Sequence, residues 1–146
     1  MNNNSNKTLN YSFSFVVRHP SVDPASIDEA LKLKPNKSWR SGDSKRDLDG
    51  NLIYGNQRES VWIYMENHVE DLKFFKKISI FLEELSVEKN INYICALVED
   101  GARVNIDIRL PGYVNIGDQL SWQALELMGK LKINLSLEVF PDGLGS

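Results

Sequence analysis

Hydrophobic and polar positions alternate most clearly in two segments of the chain. In YSFSFVV, residues 11–17, aromatic and aliphatic side chains alternate with Ser12 and Ser14. In ARVNIDIRL, residues 102–110, aliphatic side chains alternate with charged and amide ones. A period of two with one polar face is typical of a strand that is buried on one side. Both segments are therefore predicted to be half-buried strands.

Three further segments are predicted as strands. SVWIYME, residues 60–66, and NLSLEVF, residues 134–140, are rich in the β-branched, aliphatic and aromatic residues found in sheets. INYICALV, residues 91–98, is apolar on both faces and bounded by polar residues, which favours a strand covered on both sides.

Helical spacing of apolar residues predicts three helices. DPASIDEALKL, residues 23–33, begins with an Asp-Pro pair suited to an N-cap and first helical position, and Pro35 prevents its continuation. Residues 68–88 carry apolar side chains at steps of three and four with charges on the opposite side, the strongest helical pattern in the chain. Residues 121–131, SWQALELMGKL, repeat that pattern over a shorter length.

The order of these elements predicts an α+β fold. From residue 60 onward it is βαββαβ, so residues 60–140 are expected to form a ferredoxin-like core, preceded by an extra strand and helix. Helices would pack on one face of a mostly antiparallel sheet. Residues 1–10 are predicted to be a disordered tail, residues 11–141 a single domain, and residues 36–59 a long loop or small hairpin insertion.

Several segments resemble a bacterial family known as domain of unknown function 4279. PASIDEALKLKP is similar to the opening helix of that family, SGD to its loop glycine, and SVWIY to its tryptophan-bearing strand. SWQALELMGKLKINLSLEVF is similar to its closing helix and strand. The resemblance covers about residues 11 to 141 in order. The family has no established activity, so the resemblance implies no catalytic residue.

Composition and charge exclude several classes of protein. The 146 residues are 42% hydrophobic and 25% charged, with a net charge of -3, so the excess of Lys and Arg that phosphate binding requires is absent. Nucleic acid is therefore not an expected partner. The sequence has neither an apolar leader nor a run of about 18 apolar residues, so we expect a cytoplasmic protein that does not contact membranes.

The sequence offers no catalytic, metal or cofactor site. The single cysteine, Cys95, is placed mid-strand, where a buried structural thiol is expected. His19 and His68 are expected at the surface, and neither is paired with a nucleophile. No metal-ligand spacing, phosphate loop or dinucleotide fingerprint is present, so no cofactor is expected.

The predicted binding surface is the sheet face that points away from the helices. If Val61, Ile63 and Met65 face the helices, Trp62 and Tyr64 face outward, and strands 60–66 and 102–110 would be neighbours. Aromatic rings beside guanidinium groups suit protein recognition. The predicted partner-binding residues are Trp62, Tyr64, Arg103, Asn105, Asp107 and Arg109. Trp39, Arg40 and Arg46 form the predicted rim of the 36–59 loop, with Trp39 as its anchor.

Another interpretation of this face remains open. The N-terminal segment or the 36–59 loop could cover it and bury Trp62, leaving its Arg and Asp residues as ordinary cross-strand pairs.

The functional hypothesis is a non-catalytic binding module that acts through a protein partner. An immunity-type protein, which neutralises a toxin by covering its active site, is one concrete form. The alternative is a small-ligand-binding regulatory domain with a pocket between the sheet and the 36–59 loop. Either hypothesis is compatible with a homodimer.

Overall fold

A computed structural model describes residues 9–70, 74–112 and 117–141. Within these ranges the chain forms two sheets and four α-helices. The strands are β1 (Leu9–His19), β2 (Lys37–Trp39), β3 (Ser44–Arg46), β4 (Leu52–Asn56), β5 (Ser60–Glu70), β6 (Arg103–Pro111) and β7 (Ile133–Phe140). The helices are α1 (Pro24–Leu31), α2 (Phe75–Leu85), α3 (Glu88–Glu99) and α4 (Trp122–Lys130).

The larger sheet has the strand order β2-β5-β1-β6-β7. Neighbouring strands are antiparallel except for β6 and β7, which are parallel. β1 occupies the centre because it pairs along its length with β5 on one side and β6 on the other. The predicted α+β fold with a mostly antiparallel sheet is therefore confirmed.

The hydrophobic core lies between one face of this sheet and the helices. β1 contributes Phe13, Phe15 and Val17, each at most 1% exposed, on the side opposite to its serines. Tilted ring contacts join Phe13 and Phe15 to Phe81 of α2, at centroid distances of 5.6 and 5.4 Å. The alternation in the sequence of β1 thus places its apolar face in the core, as predicted. Other fully buried side chains come from several elements: Ile27, Ile78, Leu82, Ile94, Val104, Ile106, Ile108 and Leu131.

Local capping interactions fix where the helices begin and end. Asp23 caps α1 by accepting a hydrogen bond from the Ala25 N–H, at 3.1 Å, which agrees with the predicted N-cap. Lys32 ends α1 in the left-handed conformation, with φ of 53°. The start of α2 has no local side-chain cap; instead Asp118 accepts hydrogen bonds from the N–H groups of Phe74 and Phe75, both at 2.7 Å.

The segment predicted as a covered strand, residues 91–98, is helical. It forms most of α3, whose buried residues Asn90, Ile94 and Leu97 recur at steps of four and three. A segment that is apolar on both faces fits either a central strand or a packed helix, so this pattern could not decide between them. Cys95 consequently lies on a helix and is half-buried, not buried in a strand as predicted, and its thiol donates to the Lys130 carbonyl oxygen at 3.3 Å.

The single helix predicted for residues 68–88 is also wrong. β5 continues to Glu70, α2 begins at Phe75, and a break at Ser86 and Val87 separates α2 from α3. From residue 60 the order is therefore β, α, α, β, α, β, so the predicted ferredoxin-like βαββαβ order is not confirmed. The extra first strand is instead the central strand of the sheet, and it separates the two strands that were predicted to be neighbours.

The 36–59 segment contains three short strands. β2 joins the edge of the large sheet, while β3 and β4 pair as a hairpin with Gly50 in its turn at φ of +83°. Asp49 and Gly50 lie in the turn of this hairpin, an Asp-Gly pair typical of such turns, within the segment predicted to be a long loop or small hairpin. Eight of the ten residues predicted as a tail, 1–8, lie outside the described residues, and Leu9 and Asn10 belong to β1. Among the described helices, none has the length and apolar character needed to cross a membrane.

Candidate functional site

The candidate site is the sheet face opposite to the helices, which we call the open face. It is formed by alternate residues of all five strands, and the strand pairing sets them in rows. One row runs from Met65 through Ser14 and Asp107 to Ser136. The open face comprises Lys37, Trp39, Val61, Ile63, Met65, Ser12, Ser14, Val16, Arg18, Arg103, Asn105, Asp107, Arg109, Asn134, Ser136 and Glu138.

Two guanidinium groups face each other at one end of the open face. Arg18 and Arg103 are directly opposite each other in the β1–β6 register, where repulsion between their like charges is destabilising. Glu59 offsets the repulsion: its two carboxylate oxygens lie 2.9 and 3.2 Å from Arg103 Nη2, and one lies 4.0 Å from Arg18 Nη1. Arg103 is therefore already engaged within the chain.

Arg109 and Asp107 are freer to contact a partner. Arg109 Nε lies 4.0 Å from Glu138 Oε2, and its guanidinium carbon lies 5.7 Å from the centre of the Phe140 ring. Both charged groups of this pair are more than half exposed. Asp107 is half-buried between Ser14 and Ser136, and among the described residues it forms no hydrogen bond or ion pair. A carboxylate in that position retains its capacity to accept hydrogen bonds from a ligand.

These residues line a shallow depression of about 880 Å³. Its floor is apolar where the half-buried Ile63 and Met65 lie beside Val16, which is itself only 3% exposed, and its rim carries charges of both signs. The other side chains that line it include Ser14, Arg18, Asn36, Lys37, Asp107, Arg109, Ser136 and Glu138. An apolar centre with a polar rim is the usual anatomy of a protein-binding surface.

Trp62 and Tyr64 do not belong to the open face, so the predicted orientation of β5 is wrong. Trp62 is 0% exposed, packs edge-on against Phe15 at 5.9 Å, and donates from Nε1 to Asp28 Oδ1 of α1 at 2.6 Å. Tyr64 stacks on Phe81 at 5.6 Å on the same side.

The pattern of β5 could not reveal its orientation, because both of its faces are apolar. The pairing with β1 decides it, since Val17 opposite Trp62 and Phe15 opposite Tyr64 both face the core.

The phenol of Tyr64 lies at the edge of the core. Its hydroxyl donates to Glu66 Oε1 at 2.7 Å, and burial together with this carboxylate raises the pKa of Tyr64 to about 12. Tyr64 also lines a cavity of about 380 Å³ between β5, the end of α1 and the helices α2 and α3, together with Leu31, Ile80 and Leu85.

Trp39 is the tryptophan that the open face does contain. β2 pairs with β5 so that Trp39 lies opposite Val61 and Lys37 lies opposite Ile63. Asn36 secures this edge, because its backbone N–H donates to the Ile63 carbonyl and its side-chain oxygen accepts from the Met65 N–H, both at 2.8 Å. Trp39 is half-buried, and it lines a second depression of about 960 Å³ beside the hairpin.

The two arginines predicted at the loop rim have local roles. Arg40 is exposed, with its backbone N–H bonded to Asp43 Oδ2 at 2.8 Å and its guanidinium 3.7 Å from Asp23. Arg46 donates to the Gly50 carbonyl at 2.8 Å, which fixes the hairpin turn.

His19 is buried, contrary to the expectation of a surface position. Its Nδ1 accepts from the backbone N–H groups of Ser21 and Val22, at 3.0 and 2.8 Å, so the ring proton lies on Nε2, which donates to Asp100 Oδ2 at 2.8 Å. This arrangement secures the turn after β1.

His68 belongs to β5 and not to a helix, and its side chain lies outside the described residues. In the described part of the chain, no three His, Cys, Asp or Glu residues are grouped as metal ligands.

These features define an α+β domain with one face of its sheet packed under helices and the other face open. The sequence profile of the family described as Domain of unknown function (DUF4279) matches residues 8–140. The chain belongs to this family, in agreement with the resemblance noted from its motifs. No curated protein and no solved structure matches the chain.

Proposed function

We propose that the chain is a non-catalytic binding module whose open face docks a protein partner. The observation that carries this proposal is the depression of about 880 Å³, in which an apolar floor is rimmed by charges of both signs. The opposite face of the sheet packs against helices and is therefore not accessible. A sheet of five strands is about 20 Å wide, which is comparable to the central part of a protein interface.

The charges of the open face favour a protein over a nucleic acid. The positive charges of Arg18, Arg109 and Lys37 are interspersed with the negative charges of Asp107 and Glu138. Phosphate backbones require a predominance of Lys and Arg, which neither this face nor the whole chain, at net charge -3, provides. Mixed charges around an apolar centre instead set the orientation of a complementary protein surface.

An immunity-type protein is the concrete form of this proposal. A module of 146 residues with a net negative charge and an extended docking face is suited to cover the active site of a toxin whose catalytic cleft is basic. Such a partner would place a cationic side chain against Asp107 and a carboxylate against Arg109.

A charge-swap experiment tests the proposal. We would exchange the charges of the open face with the double variant Asp107→Lys, Arg109→Glu. The control is Glu126→Lys, Lys130→Glu, which makes the same exchange in a surface pair of α4, 3.3 Å apart. Wild type and both variants would serve as bait in native lysate, followed by mass spectrometry and calorimetry with the purified partner.

The proposal predicts a partner that binds the wild type and the α4 control but binds the open-face variant at least tenfold more weakly. This loss corresponds to about 1.4 kcal/mol or more. If every captured protein binds all three forms equally, the open face is not the docking surface.

A small-ligand-binding regulatory domain is the second candidate. The depression of about 960 Å³ between β2 and the hairpin favours it, because Trp39, Asp43 and Arg46 there offer an aromatic surface beside groups of both charges. A ligand at one hundred times its dissociation constant would stabilise the fold by about 2.7 kcal/mol. A thermal-shift screen of metabolites should then give a hit that the variant Trp39→Ala loses. A screen without such a hit contradicts this candidate.

A further inference from the structure

The outer edge of β7 is exposed and apolar on its helix side. β7 forms one edge of the large sheet, and no described residue pairs with its outer side. Leu135, Leu137 and Val139 are 37%, 58% and 57% exposed, although they project toward the side on which the helices pack. An exposed, apolar edge strand of eight residues presents unpaired backbone N–H and C=O groups that can form hydrogen bonds with another strand.

The other edge of the sheet is protected in a way that β7 is not. β2 has only three residues, carries Lys37, and is followed by the hairpin. Short length and lysine are the usual means by which sheet edges avoid association. β7 contains a single charged residue, Glu138, and its proline, Pro141, comes only after the strand has ended.

The hydrogen bonds of β7 to β6 show which backbone groups remain available. The Phe140 carbonyl accepts from the Gly112 N–H at 2.7 Å, so Phe140 directs its backbone groups toward β6. Because successive residues of a strand direct these groups to opposite sides, Ile133, Leu135, Leu137 and Val139 direct theirs outward. An antiparallel strand must therefore pair its own outward residues with these four.

We propose that two copies of this chain associate through antiparallel pairing of β7 with β7, on a two-fold axis at Ser136. This register sets Leu135 opposite Leu137 of the second copy and Ile133 opposite Val139, which covers the exposed apolar positions. On the open face it sets Asn134 opposite Glu138, so no like charges meet. The strand is thus complementary to itself, as a two-fold interface requires.

The pairing would join two five-stranded sheets into one sheet of ten strands, with both open faces on the same side. This inference does not depend on the proposed function, since the pairing uses the backbone edge of β7 and its helix-side residues, although Asn134, Ser136 and Glu138 belong both to the open face and to the paired strand. A partner could occupy the open face of a monomer, and a dimer could form without any further partner.

Sedimentation velocity over a concentration series tests the association. The wild type should change from monomer to dimer as its concentration rises, and Leu137→Lys should remain monomeric. The matched control is Leu52→Lys in β4, which makes the same substitution at a leucine 64% exposed in the separate two-stranded sheet. It should associate like the wild type. A wild type that stays monomeric throughout, or Leu137→Lys that associates equally well, overturns the proposal.

Cysteine cross-linking tests the register. In a Cys95→Ser background, Ser136→Cys places two thiols on the axis, where Cα atoms of a non-hydrogen-bonded pair lie about 4.5 Å apart, within disulfide range. Asn134→Cys is the control, because its two copies would be about 13 Å apart along the paired strands. Mild oxidation should cross-link Ser136→Cys and leave Asn134→Cys uncoupled. Equal cross-linking of the two variants overturns the proposed pairing.

Discussion

Replacing Trp62 tests whether the aromatic residues of β5 belong to the core. Trp62 is 0% exposed, touches Phe15, and donates its indole N–H to Asp28 at 2.6 Å. Truncating a buried tryptophan costs about 3–5 kcal/mol through lost burial and the cavity that remains. For a chain of this size, that cost lowers Tm by about 6–20 °C. Trp122, which is 68% exposed, provides the control, and Trp122→Ala should change stability by less than about 0.5 kcal/mol.

Urea unfolding followed by circular dichroism is the suitable assay, because removing an indole alters the fluorescence signal. The hydrogen bond can be separated from packing by a double-mutant cycle with Trp62→Phe and Asp28→Ala. Asp28→Ala alone should cost about 1–3 kcal/mol, since it leaves a buried N–H without an acceptor. The same substitution should cost less when it is combined with Trp62→Phe, because that variant has no indole N–H to leave unpaired.

If Trp62→Ala and Trp122→Ala have equal effects, the indole is not packed beneath the helices, and the orientation of β5 described above is wrong.

Three further substitutions test other features of the structure. The raised pKa of Tyr64, about 12 against an ordinary 10.0, means that the folded protein keeps the phenolic proton longer than the unfolded chain does. Stability should therefore fall as pH rises from 10 to 12, and Tyr64→Phe should reduce this dependence in urea titrations; an unchanged slope would contradict the burial of the phenol and its contact with Glu66. His19→Ala should cost about 2–3 kcal/mol because two backbone N–H groups lose their acceptor, whereas Asp100→Ala should cost only about 1 kcal/mol because it removes the acceptor of a single donor, His19 Nε2–H, and that carboxylate is 77% exposed; equal costs in urea unfolding would contradict this account. Asp118→Ala should cost about 1–2 kcal/mol by removing the cap of α2, and Asp118→Asn, which keeps an acceptor, should cost less; if thermal unfolding shows no difference from the wild type, the cap contributes nothing.

The open face could be predicted in part. Arg103, Asn105, Asp107 and Arg109 lie on it as expected, because polar and apolar positions alternate from residue 103 to residue 110. Trp39 was expected in a loop and not on the open face. A strand of three residues is too short to show a hydrophobic pattern that would predict its pairing with β5. Whether these residues bind a protein remains a prediction.

The sequence by itself determined the elements in which polar and apolar residues contrast sharply. In β1 and β6, polar and apolar positions alternate over most of the strand, so burial can occur in only one way, and a shift by one position would expose the apolar side. In α4 the apolar pattern predicted the helix, but Leu125, which is 51% exposed, does not lie on its buried side. Capping residues such as Asp23, and the Asp-Gly turn of the hairpin, depend on contacts within a few residues. They can therefore be predicted from the local sequence.

Only the tertiary structure decided the elements that are apolar on both sides. For β5 and α3, the local pattern fits more than one alternative, and the choice depends on contacts with residues distant in the chain. Contacts with Phe15 and Asp28 decide that Trp62 faces the helices. The central position of β1 results from its pairing with β5 and β6, whose residues are more than forty positions away in the sequence. A local pattern carries no information about such partners, because the energy that decides between the alternatives arises only when the whole sheet and its helices are assembled.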